Sequence, residues 1–140
     1  MPRMDITGGC LCGSVRFRIT APPIAMRLCW CRLCQYLAAG NATVNVVFPS
    51  DSLSVEGELT DYRSVADSGS VMHRRFCPRC GTPVFSASEA RPHLVIVRNG
   101  ALDGTESKRP GATIWTEAAP DWAWIDESLP MHPGQPPPVA

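Results

Sequence analysis

Residues 14–19 alternate strictly, with Val15, Phe17 and Ile19 apolar between Ser14, Arg16 and Arg18, a period of two that predicts a half-buried strand closed by Pro22–Pro23. Stretches 43–48, 52–56, 59–64, 71–77, 83–86 and 93–98 read as further strands. They are rich in Val, Ile, Thr and Phe and are separated by Gly, Pro, Asp and Ser clusters. One segment, 32–38, fits a helical turn stopped by Gly40. The pattern therefore predicts a mainly β chain with little helix. Past Pro130 the apolar side chains needed to offset chain entropy run out and Pro dominates, so 131–140 reads as an extended tail, either uncommitted or lying as a strap across a neighbouring subunit. Residues 1–130 are expected to form one domain.

Composition narrows the classes. A chain of 140 residues, 44% of them hydrophobic, suits a single domain that buries roughly two-thirds of its unfolded surface. Thirteen basic residues balance thirteen acidic ones, so no global field draws the chain to nucleic acid or anionic lipid. The longest apolar run, near Leu94 to Val97, is far below the roughly 20 residues that cross a bilayer, and the first residues lack a basic-then-apolar leader. A cytoplasmic protein with no membrane and no nucleic-acid partner is the expectation; the oligomeric state stays open, with a homodimer as one candidate.

Seven cysteines change the picture. Without a secretion signal they should stay reduced, an odd number cannot all pair, and C-x-C spacings are too tight for an easy bridge, so metal is favoured over disulfides. Cys77-Pro78-Arg79-Cys80-Gly81 has the form of a zinc knuckle, in which Pro presets the turn and Gly accepts the positive φ that aims backbone N–H groups at sulfur. Cys10-Leu11-Cys12-Gly13 is a tighter version. Together Cys10, Cys12, Cys77 and Cys80 make a complete tetrahedral donor set that ties together two turns about 65 residues apart. Cys29, Cys31 and Cys34 remain. Three donors with one position vacant is the arrangement of catalytic rather than structural zinc. Two other readings stand beside it: a site closed by His73, His93 or His132, or no second metal.

With Gly9-Cys10-Leu11-Cys12-Gly13-Ser14-Val15-Arg16-Phe17, the Cys29-x-Cys31-x-x-Cys34 cluster and Phe76-Cys77-Pro78-Arg79-Cys80-Gly81-Thr82 in order, the chain resembles the glutathione-dependent formaldehyde-activating enzymes, a family that includes centromere protein V. The likeness runs from about Gly8 to Pro130. It implies a β-tent zinc-binding fold with two Zn2+ per chain. Cys10, Cys12, Cys77 and Cys80 match the structural zinc ligands, and Cys29, Cys31 and Cys34 match the catalytic site. It further implies a carbon–sulfur lyase acting on a thiol such as glutathione and a small aldehyde, or on their S-hydroxymethyl adduct. Two positions depart from the family pattern: Trp30 stands where many members have His, and Thr113 precedes Ile114-Trp115 where His is common. Neither replacement binds metal, so the pocket's preferred substrate is the part of the likeness they touch.

Other residues have plainer readings. Arg27, Arg32, Arg74, Arg75 and Arg79 lie near cysteines and can balance thiolate charge or clamp a carboxylate, although for each a solvated surface role is the simpler expectation. Trp115, Trp122 and Trp124 are expected in core or interface, with Trp115 the best candidate for a pocket wall. Against the lyase stand two rivals: a zinc-stabilised binding module, and a thiol or redox sensor using Cys29, Cys31 and Cys34.

Overall fold

A computed structural model describes residues 5–104 and 109–140. In chain order it contains β1 (Ile6–Gly9), β2 (Arg16–Ile19), β3 (Ala25–Cys29), α1 (Arg32–Leu37), β4 (Thr43–Pro49), β5 (Leu53–Glu56), β6 (Thr60–Val65), β7 (Val71–Phe76), β8 (Pro83–Ser88), β9 (Leu94–Arg98), β10 (Ala112–Ile114) and β11 (Met131–His132). The chain is thus mainly β, as the alternation predicts, and the helical turn falls within 32–38. Among the described residues no helix is long and apolar enough to cross a membrane.

The strands make two sheets. A three-stranded one runs β1–β2–β5, and an eight-stranded one runs β11–β10–β3–β4–β9–β8–β7–β6. Pairing is antiparallel except where β10 lies parallel to both β3 and β11. The alternation that marks β2 puts Phe17 and Ile19 inward while Arg16 and Arg18 stay exposed. Those inward side chains meet Val46, Phe48, Val95 and Val97 of the large sheet in one hydrophobic cluster, in which Phe17 packs edge-on to Phe85 at 5.0 Å between ring centres. Truncating Phe17 to Ala would cost roughly 3–5 kcal/mol by the usual toll of a large core cavity.

Because side chains alternate across a strand, the residues between those core positions face the other way. Arg27, Asn45 and Arg98 lie opposite one another on β3, β4 and β9, so three polar side chains form a row across the centre of the sheet's second face. This face carries the site.

Four strands escape the alternation argument. β1 is hidden by Gly8 and Gly9, yet Gly8 is required there: a Cβ would come within 2.2 Å of the Ala101 carbonyl and 2.4 Å of the Phe17 ring. β3 shows no polar–apolar rhythm, since four of its five residues are half-buried on both faces. β10 and β11 are too short to show any period. The Pro-rich end does not hang free: β11 extends the sheet, and the carbonyls of Pro130, Pro133 and Gly134 accept the N–H groups of Thr113, Glu117 and Trp115.

Candidate metal centres

The first cysteine group forms where two turns meet. Cys10 follows β1, and the chain reverses through Gly13, at a φ of +82°, to enter β2; Cys77 follows β7, and Gly81, at +77°, completes the turn into β8. The sulfurs of Cys10, Cys12, Cys77 and Cys80 all lie within 4.8 Å of one another. The Val15 N–H donates to Cys10 Sγ at 3.3 Å, and those of Arg79 and Cys80 donate to Cys77 Sγ at 3.4 and 3.5 Å. Ser14 Oγ stands 3.0 Å from Cys12 Sγ, and Thr82 Oγ1 stands 3.1 Å from Cys80 Sγ. Thr82 Oγ1 also accepts the Leu11 N–H at 3.1 Å, joining the two turns directly.

These donors favour anionic sulfur at Cys10 and Cys80, whereas at Cys12 the Ser14 bonds are outweighed by burial and the Cys10 and Cys80 sulfurs, which push the thiol up. The Thr82 hydroxyl and N–H bring the Cys80 thiol down to about 5. Burial raises Cys10, but the Val15 N–H and the Ser14, Cys12 and Cys77 hydrogen bonds outweigh it and leave the thiol near 7. Four sulfurs gathered with N–H groups aimed at them suit a closed tetrahedral ion, and they fit a soft divalent metal.

The second group is built by α1. Cys29 ends β3, Cys31 caps the helix with its Sγ accepting the Cys34 N–H at 3.3 Å, and Cys34 comes round on the first turn. All three are buried, and their sulfurs also lie within 4.8 Å of one another. Hydrogen bonds from Cys29 and Cys31, with help from Thr43 and the charge of Arg98, push the Cys34 thiol far down, while Cys31, Cys34 and burial push Cys29 up. As a donor set the trio too fits a metal ion. Among the described residues no histidine joins either cluster. His73 instead holds Asp61 at 2.6 Å and approaches Glu89 at 3.5 Å on the outside of the large sheet.

The trio opens on a cavity of about 420 Å3. Arg27, Asn45 and Arg98 line it, and Trp115 with Gln135, Pro136 and Pro138 forms a wall. Trp115 sits in the left-handed region at a φ of +58°, where a bulky residue persists only if its surroundings hold it. Here its indole N–H donates to Gln135 Oε1 at 3.0 Å and its N–H reaches the Gly134 carbonyl at 3.3 Å.

Sequence position alone points to Arg27 and Arg74, which line the cavity, but also to arginines that do not. Arg32 lies over the Tyr36 ring and bonds Gln35, and Arg75 faces Asp61 at 3.9 Å. From Arg79 the cluster receives a backbone N–H. Trp30 is buried, edge-on to Trp122, while Trp122 and Trp124 are largely exposed rather than core. Asn45 and Arg98 escape the reading by proximity, since Arg98 is 64 residues from Cys34. The available signal is a polar residue inside an apolar strand run, Asn45 within Thr43–Pro49 and Arg98 at the end of Leu94–Arg98.

Residues 5–118 match the family model described as glutathione-dependent formaldehyde-activating enzyme. A Halomonas elongata protein named "Putative glutathione-dependent formaldehyde-activating enzyme" is 31% identical over 129 residues, covering 88% of this chain and 82% of its own. The crystal structure of a Rhodobacter sphaeroides protein superposes with a TM-score of 0.58 at 21% identity, over 72% of this chain and 91% of that one, and shows a shared fold. With three cysteine motifs in order and a match over most of its length, the chain belongs to the family of glutathione-dependent formaldehyde-activating enzymes.

Proposed function

We propose that the protein is a zinc-dependent enzyme of the carbon–sulfur lyase type. It joins a thiol such as glutathione to a small aldehyde, or cleaves the S-hydroxymethyl adduct of the two, in the cytoplasm, where its seven thiols stay reduced. The observation that carries this reading is the trio of buried sulfurs at the base of an arginine-lined cavity, with no fourth protein donor in the cluster among the described residues. In this reading Cys10, Cys12, Cys77 and Cys80 hold a structural zinc, and Cys29, Cys31 and Cys34 hold the second.

Bound to the trio, zinc supplies Lewis acidity and an affinity for sulfur that keeps a thiol ionised at neutral pH. The chain's residues do the rest. The Trp115 side and the Pro-rich strap wall one side of the cavity, which limits water that would hydrate the small aldehyde. Asn45 accepts a hydrogen bond from Arg98 and donates to Thr43 Oγ1 at 3.0 Å, fixing the guanidinium beside the sulfurs. In the forward direction the substrate sulfur's electron pair forms the C–S bond, the carbonyl π pair moves to oxygen, and that oxygen takes a proton. The reverse step breaks the C–S bond and returns the thiolate.

Exchange NMR on glutathione and formaldehyde tests the reading. Zinc-loaded protein should speed interconversion of free and S-hydroxymethylated glutathione above the spontaneous rate, and Cys31→Ser should abolish the increase. No acceleration with glutathione or any other small thiol would overturn it.

A further inference from the structure

The sulfur trio accounts for only part of the charge in its cavity. Arg27, Arg74, Arg91 and Arg98 line it, and Asp67 is the one acidic side chain among the described residues there. A divalent ion on three thiolates carries one formal negative charge, which offsets a single guanidinium, so the loaded cavity keeps a positive surplus. Arg74 bonds the neutral Ser64 Oγ, and Arg91 bonds a main-chain oxygen of Ala140. Arg27 and Arg98 are more exposed to a penalty: the Nε of each is buried without a hydrogen-bond partner, and neither makes an ion pair among the described residues. Buried unpaired donors on charged groups are costly, and two such arginines, on either side of Asn45 and both lining the cavity, suit an anionic acceptor.

We propose that the Arg27–Asn45–Arg98 row is a carboxylate subsite, and that the enzyme's thiol substrates are those bearing a carboxylate a short carbon chain from the sulfur. This rests on the thiol-enzyme reading above and adds the chemical class of the substrate. The row is straight because Asn45 is the register partner of Arg27 on one side and of Arg98 on the other. Asn45 engages one arm of Arg98, whose side chain lines the cavity with no ion pair among the described residues. Cys29 follows Arg27 by two residues on the same face of β3, roughly 7 Å along a strand, which sets a carboxylate and a sulfur of one small molecule on neighbouring stations.

The test is calorimetric titration of zinc-loaded protein with 3-mercaptopropionate and with its neutral isostere 3-mercaptopropionamide. Wild type should bind the acid about tenfold or more tightly, the lower end of what a charge-assisted hydrogen bond contributes. Arg98→Met and Arg27→Gln should each pull the acid-to-amide ratio toward one, and Arg98→Lys should restore part of it. A guanidinium that merely offsets thiolate charge would change both affinities together and leave the ratio standing. Equal binding of the two thiols by wild type, or a ratio unchanged in both Arg27→Gln and Arg98→Met, would overturn the subsite. Butyrate, followed by ligand-observed NMR, separates this from the thiol reading. Butyrate binding that is lost in Arg98→Met supports the subsite even if neither thiol binds better than butyrate, a result that would overturn the thiol reading alone.

Discussion

Cys77 and Cys31 are the same residue type with opposite expected consequences. Cys77 is wholly buried against the main hydrophobic cluster and receives two N–H groups, so Cys77→Ser removes a ligand from the site that ties β1 to the β7–β8 turn. Since about 10 kcal/mol or more of apparent metal-binding free energy can be coupled to folding at such sites, Cys77→Ser should leave a chain without a cooperative thermal transition. Cys31→Ser should melt close to wild type and hold one zinc fewer, as metal analysis of the purified variant will show. Gly8→Ala is predicted to lose about 1–3 kcal/mol or somewhat more in denaturant titration, because its Cβ has backbone on one side and an aromatic ring on the other. At this scale the sequence was informative where spacing does the chemistry: the knuckle turns and the C-x-C-x-x-C run bring their own sulfurs together. It was silent on Asn45 and Arg98, whose place beside the trio is decided by strand register between segments far apart in the chain.

The elements follow the same division. Strands with one wet face announced themselves by alternation, as β2 does, whereas β3 and the parallel pair β10–β11 are covered or short and have no rhythm to read. The end of the chain reads in sequence as an extended tail, uncommitted or a strap on a neighbouring subunit, because it lacks apolar side chains; in the fold its carbonyls accept the N–H groups of Thr113, Trp115 and Glu117. The family model matches residues 5–118, so the strap lies outside the matched span. Removing residues 135–140 takes away the Gln135 partner of Trp115 and one wall of the cavity while sparing β11. The truncated protein should keep its melting transition and its metal content. Its trio should be stripped of metal faster by a chromophoric chelator, with the quartet unaffected.

Across the whole molecule, one face of the large sheet carries the hydrophobic core and the other the polar cavity, and each has a cysteine cluster at its margin. Stability and function should therefore share a dependence on pH. Thiols with folded-state values lowered from 9.0, Cys10 to about 7 and Cys80 to about 5, stabilise the fold above the unfolded value and lose that contribution as pH falls through the folded ones. Protons compete with metal for the same sulfurs, so acidification should release zinc and lower the melting temperature together, and the bound ion should move the midpoint to lower pH. The central claim is that two ions are held by separate sulfur sets, one closed and one open to the cavity. Diffraction at the zinc absorption edge tests it most directly. Two anomalous peaks should appear, one enclosed by Cys10, Cys12, Cys77 and Cys80 and the other touching Cys29, Cys31 and Cys34 with its remaining side toward Arg27 and Arg98. A single peak, or a second one capped by a side chain of the protein, would contradict it.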